Sequence, residues 1–370
     1  MPNSRETPAL GGPSLLTMSR VDAILPVSPD ITPDPGHHLM TKGEDTVMKL
    51  HGGAHTPHRR GRGFLVTFAT ALLLLGSVNM TAAQDDKPTI AIGSKDFTEQ
   101  IIINEMAGLL LEDAGYEVER NLNLGGTAVV HQALVSGEID LYVEYTGTGL
   151  TAILQLPVET DPQAVYDTVK QEYESQFEAT WLEPWGFNNT YALAMRRAQA
   201  EELGITTISD LTDHAADLTF GATQEFLTRP DGLPGLTEAY GLEFSEERGM
   251  DPGITYQALA EEQVDIISAF ATDGRIPALD LVILEDDQSF FPPYFAAPVV
   301  RQEILDQDPA VADVLNQLAG QIDDQTMADL NLQVDEGGME PAEVARQFLD
   351  QLAAGGGASP EASPEASPTT

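Results

Sequence analysis

Short apolar runs alternate with longer segments whose apolar residues recur at helical spacing between residues 88 and 352. The run "TIAI" (residues 89–92) reads as a strand. "GSKDFTEQ" (93–100) then turns the chain into a helix over residues 98–114, with Gly115 as its stop. Asp96 and Glu99 have the spacing of a capping box. "EVERNLNL" predicts a second strand, and "GGTAVVHQALVSG" a glycine turn, a short helix and a glycine stop. "EIDLYVEY" predicts a third strand ending in the loop "TGTG" (146–149). A helix is expected over residues 162–177, and "ALAMRR", "LTFGA" and "VDIISAF" read as later strands. The alternation predicts an α/β fold with mostly parallel pairing.

Two segments echo each other at an offset of 125 residues: "HQALVSGEIDLYVEYTGTG" from His131 and "YQALAEEQVDIISAFATDG" from Tyr256. Each predicts a helix feeding a strand that ends in an aromatic residue, Tyr145 or Phe270. "AIGSKDF" and "TFGATQEF" echo more weakly. The pattern points to two similar lobes. In open α/β sheets ligands sit beyond the carboxyl ends of strands, so facing lobes would bring both aromatic-tipped loops to one cleft.

The ends of the chain differ in character. Residues 1–47 are rich in Pro, Gly, Ser and Thr, and read as a disordered extension or as an over-extended start, with Met48 the initiator. Residues 48–83 place Arg59, Arg60 and Arg62 before "GFLVTFATALLLLGSV" and small residues, which predicts a signal peptide cleaved near Ala83. A retained anchor is the alternative, although the apolar core is short for a span. Residues 353–370 repeat Ser-Pro-Glu-Ala and read as a flexible tail.

Charge and composition narrow the chemistry. Residues 1–87 hold 8 of the 18 basic and 8 of the 59 acidic residues, leaving 10 and 51 for the rest. So acidic a body repels nucleic acid and anionic lipid. The chain has no cysteine, which removes disulfides, thiolate nucleophiles and an acylated-cysteine anchor. Only His131 and His214 lie beyond the leader, so His-based metal sites and Ser-His-Asp triads are poorly supplied. No metal or cofactor is expected, and no catalysis. An enzyme using paired carboxylates stays open as the weaker alternative.

The turn at Gly93 offers backbone N–H groups at a helix start, with Ser94 and Lys95 beside them, and "GGT" at Gly125 is a second such turn carrying Thr127. Tyr145, Tyr191 and Phe270 sit at strand ends or crossings. Rings opposite an anion-binding turn suit a zwitterion, its cation over aromatic faces and its carboxylate at helix N-termini.

At these residues the chain resembles a known family. "GSKDFTEQIIINEM", "NLGGTAVVHQALVSGEIDLYVEYTGTGL", "GFNNTYALAMR" and "FGATQEFLTRPDGLPGL" are similar to substrate-binding proteins of glycine betaine/choline/carnitine ABC importers. The resemblance implies a two-lobed type II periplasmic-binding fold, each lobe a mostly parallel sheet flanked by helices, with a hinge between them. It places the first lobe at 88–193 plus 278–352 and the second at 194–277, with crossings near Tyr191 and Arg275. It also implies an exported monomer, periplasmic or on the outer face of the membrane, whose partners are a quaternary amine or betaine and a permease with its ATPase. Carried over position by position, it puts Ser94, Lys95, Thr127, Tyr145, Asn189, Tyr191, Arg229, Phe270 and Thr272 at or near the cleft. Phe270 stands where a tyrosine is common, and Leu233 where an aromatic residue is common. A binding protein for another small solute, an amino acid or a sulfonate, is the alternative.

Overall fold

The structure is a computed structural model that describes residues 87–355. The expected leader, signal peptide and most of the tail lie outside the described residues. Two five-stranded sheets form the frame, in the orders β2-β1-β3-β10-β4 and β7-β6-β8-β5-β9. The first sheet is built from β1 (Thr89–Gly93), β2 (Glu117–Asn121), β3 (Leu141–Tyr145), β4 (Ala179–Trp181) and β10 (Ala296–Arg301). The second contains β5 (Tyr191–Arg196), β6 (Thr219–Thr223), β7 (Glu246–Met250), β8 (Ile266–Phe270) and β9 (Leu281–Leu284).

Helices α1 (Thr98–Asp113), α2 (Thr127–Ser136) and α4 (Pro162–Phe177) form where the apolar periodicity places them. β3 shows why the first sheet is stable. Leu141 and Val143 join Ile102, Met106 and Leu111 of α1 in one core, while Tyr142 faces Val165, Val169 and Trp181 in another. A strand buried on both faces reads as a nearly continuous apolar run. The "TGTG" stretch is not a loop. Thr146–Thr148 form a short helix α3, which continues into a wider turn over Gly149–Ile153.

Pairing is mixed rather than mostly parallel. β1 pairs parallel with β2 and β3, and β6 with β7 and β8. β10 runs antiparallel to β3 and β4, and β5 antiparallel to β8 and β9. The reversed strand in each sheet is the one that follows a crossing between lobes. It enters at the cleft and runs away from it, so its first residues lie beside the carboxyl ends of its neighbours. Tyr191 pairs with Phe270, and Ala296 with Tyr145.

The internal echo has a structural counterpart. The side chain of Asp140 accepts the Ala91 N–H at 2.9 Å, and that of Asp265 accepts the Thr219 N–H at 2.9 Å. Each carboxylate also meets an arginine at the end of the reversed strand, Arg301 at 3.1 Å and Arg196 at 3.3 Å. The same clamp therefore ties the middle of β1, at Ala91, and the start of β6, at Thr219, to the strand beside it in each lobe.

The chain leaves the first sheet through residues 182–190 and returns through 285–295. The expected second crossing near Arg275 is displaced because β9 pairs with β5 and stays in the second sheet. The two crossings run side by side, with Asn188 bridged to Phe295. The Asn189 N–H donates to the Tyr294 carbonyl at 3.1 Å, and the Asn188 side chain accepts the Tyr294 N–H at 2.7 Å. Gly186 takes φ 122°, and a β-carbon there would stand 2.7 Å from the Ile322 carbonyl, so this bend requires glycine.

Candidate functional site

The crossings and strand ends surround a cavity of about 290 Å³ between the lobes. Five rings line it: Phe97, Tyr145, Tyr191, Phe270 and Tyr294. They form one arc. Ring centroids are 6.3 Å apart for Tyr145 and Phe97, 5.2 Å for Phe97 and Phe270, 5.2 Å for Phe270 and Tyr191, and 5.4 Å for Tyr191 and Tyr294. Phe97 comes from the first lobe and Phe270 from the second, and their planes lie only 8° apart. The ring faces already attract cations, since the Arg229 guanidinium lies 5.3 Å from the Tyr191 centroid and Lys95 Nζ 5.2 Å from that of Tyr145. A smaller compartment of about 170 Å³ shares Phe97, Asn189 and Phe270 as walls and is also lined by Glu99 and Thr272.

Glu99 joins the elements around the site. Its carboxylate accepts the Tyr145 hydroxyl at 2.6 Å, the Asn189 amide at 2.7 Å and the Asn331 amide at 2.9 Å, together with the Thr272 hydroxyl. Burial pushes the carboxyl above its ordinary range, against the four donors that pull it down. Glu99 is therefore not half of a capping box. Phe97 occupies the cap position of α1 without a side-chain cap bond, and Glu99 points into the lobe junction.

Both cations at the cavity hold carboxylates. Lys95 Nζ is 2.6 Å from Glu144, which is fully buried. Arg229 contacts Asp231 through two nitrogens, at 2.9 and 2.5 Å. Its Nη1 reaches Glu225 at 2.8 Å, and its Nη2 reaches the Thr148 hydroxyl at 3.2 Å. The Thr127 N–H, at the start of α2, donates to Glu225 at 3.1 Å. Of the two anion-binding turns expected from the sequence, the one at Thr127 is therefore not free. A protein carboxylate from the opposite lobe fills the turn at Thr127. Burial would raise the Glu225 pKa, but Lys95 and Arg229 prevail and hold it at about 2.

Of the nine expected site residues, Lys95, Thr127, Tyr145, Asn189, Tyr191, Arg229 and Phe270 line the larger cavity. Thr272 lines the smaller compartment. Ser94 lines neither, because it is buried beneath the turn. Its hydroxyl accepts the Asn123 N–H at 2.8 Å and donates to the Lys95 carbonyl at 3.0 Å. Leu233 is buried in the core, and Tyr294 supplies a ring instead. Sequence reasoning missed Phe97, Glu99, Glu225, Tyr294 and Asn331. Phe97 and Glu99 lie inside the "GSKDFTEQ" stretch, where the helix start masked their side chains' roles.

A family model described as the substrate binding domain of an ABC-type glycine betaine transport system matches residues 88–351. The chain is 35% identical over 313 residues to the ergothioneine transport permease/ergothioneine binding protein EgtU of Helicobacter pylori, covering 84% of this chain and 56% of that protein. It is 40% identical over 272 residues to a glycine-betaine-binding protein of Pseudomonas aeruginosa, covering 70% of this chain and 87% of that one. The crystal structure of a glycine betaine/carnitine/choline ABC transporter protein superposes with a TM-score of 0.61 at 35% identity. That match covers 71% of this chain and 98% of the other. The fold shared with such structures is the two-lobed type II periplasmic-binding fold.

Proposed function

The chain belongs to the family of substrate-binding domains of ABC-type glycine betaine transport systems, and we propose that it captures a quaternary-ammonium osmoprotectant outside the cytoplasm. The ligand is of the glycine betaine, choline or carnitine kind, and it is delivered to a membrane permease driven by an ATPase. The observation that carries this reading is the arc of five rings drawn from both lobes onto one cavity. A quaternary ammonium cannot donate an N–H hydrogen bond, so ring faces suit it better than point acceptors, with about 0.5–2 kcal/mol from each good contact.

No bond chemistry is assigned to the site. The expected site residues other than Ser94 are proposed to contact the ligand or to hold those that do, with Phe97 and Tyr294 added to the rings. The paired crossings act as the hinge, which puts the second lobe at about residues 190–285. Ligand bridging both lobes shifts the open–closed balance. Export depends on the signal peptide read at residues 48–83, so the mature chain starts near Gln84.

A thermal-shift panel of glycine betaine, choline, carnitine, proline betaine and ergothioneine on the mature chain tests this reading. A rise in melting temperature that grows with ligand concentration supports it. A flat response to all five rejects the ligand class.

A further inference from the structure

The place where a ligand carboxylate would be expected is filled from within the chain. Glu225 follows β6 in the second lobe. One of its oxygens lies 3.1 Å from the Thr127 N–H at the start of α2, and the other 2.8 Å from Arg229. The approach is close, since a β-carbon on Gly126 would stand 2.6 Å from the Glu225 oxygen. The two cations at the cavity are engaged too. Lys95 holds Glu144, and the remaining edge of Arg229 holds Asp231.

The charge count follows from these pairs. Glu144 balances Lys95 and Asp231 balances Arg229, so Glu225 is left without a cation of its own, while the exposed Asp96 and Asp251 add two more carboxylates to the lining. Glu225 stays ionised through the neutral range, because the two cations prevail over burial and hold it at about 2. A zwitterion bound with its cation on the rings and its carboxylate toward Thr127 and Arg229 would set that carboxylate against Glu225. An ammonium compound with a neutral tail meets no such repulsion, and it gains the Glu225 charge as a counter-ion. Glu225 is half-buried, so this interaction is screened less than one at the open surface.

We propose, resting on the quaternary-ammonium reading above, that Glu225 is a specificity-determining residue. It occupies the carboxylate end of the cleft and selects a cation with an uncharged polar tail, such as an amino alcohol, over a zwitterionic betaine.

The test is Glu225→Gln in the mature chain, titrated with choline and with glycine betaine at fixed ionic strength. Glutamine keeps one acceptor, for the Thr127 N–H, and removes the charge together with the acceptor that Arg229 uses. The wild type is expected to bind choline more tightly than glycine betaine. The variant is expected to lose about tenfold in choline affinity and to gain in glycine betaine affinity, so that the ratio moves by more than tenfold. A wild type that prefers glycine betaine overturns the proposal. So does a variant in which both affinities fall by the same factor, since that is what a merely structural role produces. A wild type that binds neither compound, nor any other quaternary amine, rejects the underlying ligand class and this proposal together, which separates that outcome from the first two.

Discussion

Glu99 and Thr272 meet across the lobe junction, the Thr272 hydroxyl donating to a carboxylate that is only 3% exposed. The Asn331 amide spans the same junction, donating to Glu99 and to the Thr272 carbonyl, each at 2.9 Å. Thr272→Val removes one of four donors to a buried carboxyl group and one link between the lobes. The expected cost is about 1–3 kcal/mol. It should appear as a lower melting temperature and a larger radius of gyration for the ligand-free chain by small-angle scattering. A variant that matches the wild type in both would show that Glu99 does not hold the lobes together.

The rings carry separable roles. Tyr191→Ala and Tyr145→Ala should each weaken binding by about 1–3 kcal/mol. Tyr145 also donates to Glu99 at 2.6 Å. Tyr145→Phe keeps the ring and loses that bond, so it should retain most of the affinity while lowering the melting temperature. Unchanged calorimetric isotherms for both alanine variants would refute the cage.

Lys95 holds the carboxylate of Glu144 at the wall of the cavity, with the two side chains 5% and 0% exposed. Removing one member of such a pair leaves an uncompensated buried charge, at a cost of about 3–5 kcal/mol. Lys95→Met should therefore shift the urea midpoint strongly. A loss within about 0.5 kcal/mol, the size expected of a surface lysine, would contradict the pairing.

The pH dependence of Glu225 has a definite sign. Its folded pKa of about 2 lies below its ordinary 4.5, so the stability it contributes is present above pH 4.5 and is lost as pH falls through about 2. The melting-temperature gap between the wild type and Glu225→Gln should be constant from pH 5 to 8 and close as pH falls below 4.5. A gap that keeps its size at the lowest pH at which both remain folded would mean that Glu225 makes no charge-dependent contact.

The fold was legible where a pattern repeats over several residues. The helix at Pro162–Phe177 forms at the bounds its periodicity implied. The echoed segments became β3 and β8 in matching positions of their sheets. Four strands, β4, β7, β9 and β10, were not read from the sequence, and two of them show why. β10 lies between β3 and β4 yet carries Pro298 at its middle, and a proline argues against a central strand because it lacks an N–H. β7, "EERGM", is mostly exposed at a sheet edge, so it has no apolar alternation to read.

The site was legible in its rings and turns but not in its charges. Tyr145, Tyr191 and Phe270 stood out at strand ends, and the two glycine turns stood out as anion sites. Arg229 meets acids only two and four positions away, Asp231 and Glu225, but the acid that answers Lys95, and the one that meets the Thr127 turn, come from far along the chain. Glu144 lies 49 positions from Lys95, and Glu225 lies 98 from Thr127. Among 51 acidic residues in the body, nothing local sets Glu144 apart, and the spacing of Glu225 from Arg229 gives no sign of its contact with Thr127. Glu99 was misread because its spacing from Asp96 imitates a cap.

The position of the quaternary nitrogen in a co-crystal of the mature chain with choline tests the central claim most directly. The nitrogen should lie within about 6 Å of the centroids of at least two rings among Tyr145, Tyr191, Phe270 and Tyr294, with the lobes closed over it. Choline seated outside this cavity, or a cavity without choline at saturating concentration, would contradict the account.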